Sequence, residues 1–156
     1  WGEPGTDPGE FNCVHNIATD KDGYVYVCDR ENSRVQIFDS KGKLEAVWNN
    51  IHRPCAIFIT NDQHIFIGEL GGANPSNRHA PGIGPRLSVY DTSGKRLARI
   101  GESGYGFEVG QFAAPHGIAL DSKGDIYVAE VAWTNMSNHT TPIDGVRTFQ
   151  KLVKVI

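Results

Sequence analysis

The chain has 156 residues, enough for one domain with a real core and too few for two comfortable ones. Its 15 Lys+Arg against 18 Asp+Glu give a net charge of −3, which excludes the concentrated basic surface that nucleic-acid phosphates require. Apolar runs reach only the length of Cys55–Ile59, far short of the ~20 residues that span a bilayer. The expected partners therefore include neither nucleic acid nor membrane. No P-loop or dinucleotide fingerprint occurs, so no nucleotide cofactor is expected either.

The 18 Gly and 8 Pro point to many loops, while a hydrophobic fraction of 39% argues against disorder. The chain opens on Trp1, as expected of a processed or partial product, and carries no readable address. Three cysteines allow at most one internal disulfide. Cys13 and Cys28 read as structural, and His52 and His64 as surface residues.

Three segments repeat along the chain. In the first, a strand over Asn16–Thr19 leads through Asp20-Lys21-Asp22-Gly23 to a strand over Tyr24–Cys28. Strands over Arg34–Phe38 and Leu44–Trp48 follow, joined by Asp39-Ser40-Lys41-Gly42. The second segment runs from Pro54-Cys55-Ala56-Ile57 through His64–Glu69 to Arg86–Leu97, and the third from Pro115-His116-Gly117-Ile118 through Gly124–Glu130 to Arg147–Val153. No stretch keeps a helical period over three turns. Four short antiparallel strands per unit is the pattern of a β-propeller blade, so the fold expected is all-β, with three blades at about 11–50, 51–101 and 112–156 in a single module. Three blades cannot close a ring. A homodimer that completes about six blades is therefore expected.

The stretches Gly9–Ala18, Asp29–Phe38 and Gly110–Ala119 resemble NHL repeats. That resemblance implies a six-bladed propeller, of which this chain would be half. Within the group, Pro115-His116-Gly117-Ile118-Ala119 and Asp29-Arg30-Glu31-Asn32 are similar to the lyase domain of peptidyl-α-hydroxyglycine α-amidating lyase. The likeness implies zinc held by histidines near the central channel, with His15 and His116 matching two of them and Arg30 matching an arginine of the active-site region. It also implies a secreted or periplasmic location. Gly117 stands where that lyase has an aspartate.

The residues point to the same end of the fold. His15, Cys55 and His116 open the innermost strand of each unit, and Asp29, Glu69 and Glu130 end the next strand on the same face. From acid to following arginine there are 5 positions in the first unit (Asp29 to Arg34) and 17 in the others (Glu69 to Arg86, Glu130 to Arg147). Two long loops, 70–85 and 131–146, thus rise over this face and bring His79 and Trp133. Imidazoles with one thiolate suit zinc or another divalent metal. In a twofold ring, alternate blades would present His15, His116 and Cys55 of the partner subunit.

Each candidate has a second reading. The histidines serve equally as water-lined channel residues, and Cys55 as a small buried hydrophobe. The carboxylates either orient metal-bound imidazoles or pair with arginines and cap loop amides. Two function classes follow: a metal-dependent, lyase-like enzyme acting on a small or peptidic ligand at the long-loop face, with Arg30 binding a carboxylate, or a non-catalytic protein- or peptide-interaction module. A calcium-dependent lactonase-like site fits poorly, because calcium prefers oxygen ligands.

Overall fold

The computed structural model describes residues 1–71, 80–101, 105–133 and 145–155. Three antiparallel sheets make up the fold. The first contains β1 (Val14–Thr19), β2 (Val25–Asp29), β3 (Arg34–Phe38) and β4 (Leu44–Asn49), hydrogen-bonded in that order. The second contains β5 (Pro54–Ile59), β6 (Ile65–Glu69), β7 (Arg86–Tyr90) and β8 (Arg96–Ile100), again in chain order. The third has three strands, with β10 (Ile126–Glu130) between β9 (Pro115–Leu120) and β11 (Phe149–Leu152). The meander within each sheet is that of a propeller blade, as expected from the repeats.

Turn chemistry explains the tight hairpins. Asp20 Oδ1 accepts the amides of Asp22 and Tyr24 at 3.0 and 2.9 Å, while Gly23 takes φ +87° at no steric cost. Asp39, Asp91 and Asp121 repeat the device. In the first turn of the second blade Thr60 takes the place of the aspartate, and Gln63 adopts φ +66° where the others have glycine.

The core lies between blades. Tyr26, Cys28, Val35 and Ile37 of the first blade meet Ile57, Ile65 and Ile67 of the second, with Tyr90 alongside. Leu87 and Phe112 meet Val128 at the next junction. There Gly68 lets β9 approach closely, since a Cβ on it would stand 3.2 Å from both Ala56 Cβ and the Pro115 carbonyl oxygen. A side chain at this position would push away the strand that carries His116.

The two outer faces of the chain lack this cover. Ile57 is 6% exposed, but Ile17, at the same position of its blade, is 59% exposed. Val35 is fully buried, whereas Phe149, in the same register, is 59% exposed. One end of the stack thus presents the inner half of a blade junction, and the other end presents the outer half.

Candidate metal centre

The strand openings are where the three sheets share an irregularity. In the second blade Pro54 pairs with Glu69 and Ala56 with Gly68, leaving Cys55 as an extra residue. In the third Pro115 pairs with Glu130 and Gly117 with Ala129, leaving His116. In the first Val14 pairs with Asp29 and Ile17 with Val27, so His15 and Asn16 together face Cys28. Each donor candidate therefore occupies a β-bulge, a device that re-aims a side chain out of the alternating pattern of a strand.

The bulges bring the three together. His15, Cys55 and His116 each offer a ligand atom, and these atoms all lie within 4.8 Å of one another; among the described residues this is the group of at least three such side chains with that spacing. The two imidazoles meet edge-on, with ring centroids 4.4 Å apart. Contrary to the expectation that the partner would supply the cysteine, the cysteine in the set belongs to the same chain. The reason is geometric: inner strands of adjacent blades converge on the axis, so the middle blade contributes as closely as its neighbours.

Donor chemistry is set by what surrounds the three side chains. His15 Nδ1 lies 2.9 Å from the Cys55 carbonyl oxygen, which can only accept, so Nδ1 donates there and Nε2 is the nitrogen left to ligate. Burial lowers the His116 pKa, helped by the nearby His15 and Arg30, which keeps this ring neutral. Burial pushes the Cys55 thiol up to about 11, against the pull of the Arg30 and Arg53 guanidiniums. The thiol is protonated at rest and must lose its proton to ligate.

The carboxylates do not touch the imidazoles. Asp29 Oδ1 accepts the Asn12 amide at 2.7 Å, Glu69 Oε2 accepts the His52 amide at 2.7 Å, and Glu130 Oε2 accepts the Ala113 and Ala114 amides at 2.6 and 2.9 Å. The first amide in each blade belongs to the residue three before the donor. Asp29, Glu69 and Glu130 thus cap the link that leads into each bulge and act on the donors through the backbone.

Arginines hold two of these carboxylates. Arg34 pairs with Asp29 at 2.6 Å, and Arg86 reaches both Glu69 oxygens at 2.8 and 2.9 Å. Arg147 breaks the expected pattern. The register of β11 places Thr148, not Arg147, opposite the position of Arg34, and Arg147 instead donates to the carbonyls of Glu108 and Gln111 at 3.0 Å. Gln150, at the place of Gln36, which donates to Asp29 alongside Arg34, keeps its own contact to Glu130.

Other candidates are placed as follows. Arg30 stands beside Cys55 and donates to Cys13 Sγ at 3.2 Å and to Glu31 Oε1 at 2.8 Å. Both long loops begin on the site, because Leu70 and Val131 pack with Cys55 and Ala114. Trp133 is exposed near the start of the second loop. His79 lies outside the described residues. All three cysteines are free; Cys28 is buried, as a structural role requires, but Cys13 is exposed, because φ +60° at its bulge entrance turns it away from the core. His64 is a surface residue paired with Asp62 at 3.0 Å, whereas His52 is half-buried where the link before β5 folds over Glu69.

Residues 11–38 and 112–137 match the NHL repeat model. The chain carries NHL repeats. NHL repeat-containing protein 3 from Homo sapiens is 31% identical over 138 residues, covering 83% of this chain and 36% of that protein. Its counterpart from Mus musculus is 32% identical over 136 residues, with the same coverage. The NHL-repeat chain therefore spans about a third of the length of these curated relatives. Among solved structures, a protein of unknown function from Bacteroides caccae matches with a TM-score of 0.60 at 11% identity, over 88% of this chain and 45% of that one. Streptogramin B lyase matches with a TM-score of 0.53 at 14% identity, over 76% and 34%. These two likenesses are of fold alone.

Replacing Glu69 with Gln leaves the buried Arg86 without its counter-ion and weakens the cap before Cys55. The expected loss of stability is about 3–5 kcal/mol, read from urea unfolding midpoints. A change within about 0.5 kcal/mol would remove the carboxylate from this role.

Proposed function

We propose that this NHL-repeat chain holds one divalent metal ion, with zinc the best match to the donors, between His15, Cys55 and His116 at the mouth of a propeller channel. The observation that carries the reading is the convergence of three donors from three bulges, with the His15 tautomer already set by the Cys55 carbonyl. Two imidazoles and one ionisable thiol suit zinc, and three protein ligands leave a coordination position for another molecule. An ion bound there would supply Lewis acidity to an oxygen of a bound ligand.

The chain's own groups define what else happens at that mouth. Arg30, beside Cys55 and within Coulombic reach of His116, orients a carboxylate. Leu70 and Val131, from which the two long loops start, pack with Cys55 and Ala114. We assign this site a lyase-like role toward a small or peptidic substrate. Support comes from the donor set, the adjoining guanidinium and the resemblance of the His116 and Arg30 stretches to the amidating lyase.

We further propose that two copies complete a six-bladed ring. Its support is the complementarity of the open faces, with Ile17 at one end and Phe149 at the other in positions that are buried at internal junctions. A twofold axis would place each outer half against the inner half of the other copy.

Elemental analysis of protein dialysed against trace zinc should find close to one zinc per chain. His15→Ala, Cys55→Ser and His116→Ala should each weaken retention about tenfold or more while far-ultraviolet circular dichroism stays unchanged. A metal-free wild type, or full retention in all three variants, contradicts the site. Light scattering should return about twice the 17.1 kDa chain mass, reduced to one chain by Ile17→Asp. A monomeric wild type contradicts the ring of two copies.

A further inference from the structure

Two guanidiniums from neighbouring blades meet at the mouth of the site, and one carboxylate joins them. Glu31 Oε1 accepts from Arg30 Nε at 2.8 Å and from Arg53 Nη2 at 2.9 Å, and its Oε2 accepts from Arg53 Nε at 3.2 Å. All three side chains are partly exposed, at 20% for Arg53, 21% for Arg30 and 31% for Glu31. Ligands therefore have access to them.

The backbone is bent to bring Arg53 there. Arg53 takes φ +53°, a left-handed conformation that costs a non-glycine residue energy, two positions before the donor Cys55. Cys13, two positions before His15, takes φ +60° and contacts Arg30 Nη2 from the other side. Among the described residues Arg30 is thus gripped by Cys13 and Glu31 with Cys55 beside it, and Arg53 by Glu31. Nη1 of Arg53 carries no hydrogen bond to a described residue.

The local charge balance favours an anion. Asp29 is matched by Arg34 and Glu69 by Arg86, so neither offsets the pair at the mouth. One carboxylate against two guanidiniums leaves a net positive cluster beside the imidazoles. Arg53 and then Arg30 also hold the Glu31 carboxyl below its usual range, so it stays ionised and keeps its grip.

We infer that Glu31 clasps Arg30 and Arg53 into a two-guanidinium receptor for the carboxylate of a small or peptidic ligand, beside the His15–Cys55–His116 set. The inference deepens the reading of that set as a ligand-binding site and extends it from Arg30 to a receptor shared by two blades. Guanidinium forks match carboxylate geometry, and a pair fixed in advance loses little side-chain freedom on binding. Glu31 is the positioning residue. It touches the arginines and leaves the ligand to them.

The test is a titration of the protein with N-acetylglycine, using neutral N-acetylglycinamide as control, in metal-free and zinc-loaded samples. The readout is the ¹⁵N–¹H shift of the arginine Nε–H groups. N-acetylglycine should saturate shifts at Arg30 and Arg53 without metal, and the amide should not. Arg30→Gln and Arg53→Gln should each weaken binding about tenfold, the scale of one lost charged hydrogen-bond pair. Glu31→Gln should weaken it several-fold although it makes the mouth more positive.

Saturable shifts that survive Arg53→Gln would overturn the shared receptor. Tighter binding in Glu31→Gln would mean that Glu31 competes with the ligand, and would overturn its positioning role. Absence of shifts at either arginine in both samples would overturn the proposal whatever the zinc content. Binding in the metal-free sample that matches these expectations would uphold it even where zinc is not retained.

Discussion

A buried carboxylate that holds the backbone three residues ahead of a donor is the contact on which the rest of the site depends. Asp29, Glu69 and Glu130 are buried at the ends of their strands, where an unpaired charge would be very costly. Two of them are matched by arginines, and all three accept amides from the link between blades. Fixing that link fixes where each innermost strand begins, and with it the extra residue of each bulge. The donor side chains thus inherit their direction from contacts that never reach them. A carboxylate acting through the backbone makes no contact with the imidazoles, and His15 Nδ1 meets a carbonyl oxygen instead.

Much of this was legible in the repeat. The Asp-x-x-Gly turns, the β-branched runs and the repeated acid at the end of the second strand all have period and chemistry that a sequence displays. They lead to blades and to the three side chains that the bulges bring together. The bulges were not legible, because an extra residue leaves no compositional mark: the residue that follows each donor candidate is Asn16, Ala56 or Gly117, of no common type. Without bulges, alternate blades make the natural set, so Cys55 is expected from the partner subunit, whereas the group within 4.8 Å draws it from the same chain.

Single-residue shifts in register were equally hidden. Arg147 stands at the spacing set by Arg86, yet the pairing of Ala129 with Phe149 puts Thr148 in the arginine's place, and only the loop contacts of Arg147 resemble those of Arg34. Arg53 escaped notice for another reason. Its neighbours Pro54 and Cys55 carried the motif, and a left-handed arginine is foreseen by no propensity. The position does have a signal in retrospect, since Cys13 and Arg53 occupy equivalent places and both contribute to the same mouth.

The metal reading has its most direct test in cobalt(II) titration of the metal-free protein. The account predicts a near-ultraviolet sulfur-to-cobalt charge-transfer band that saturates at one equivalent and disappears in Cys55→Ser. A spectrum without that band, or one that Cys55→Ser leaves intact, would mean that the thiol and the two imidazoles do not share an ion.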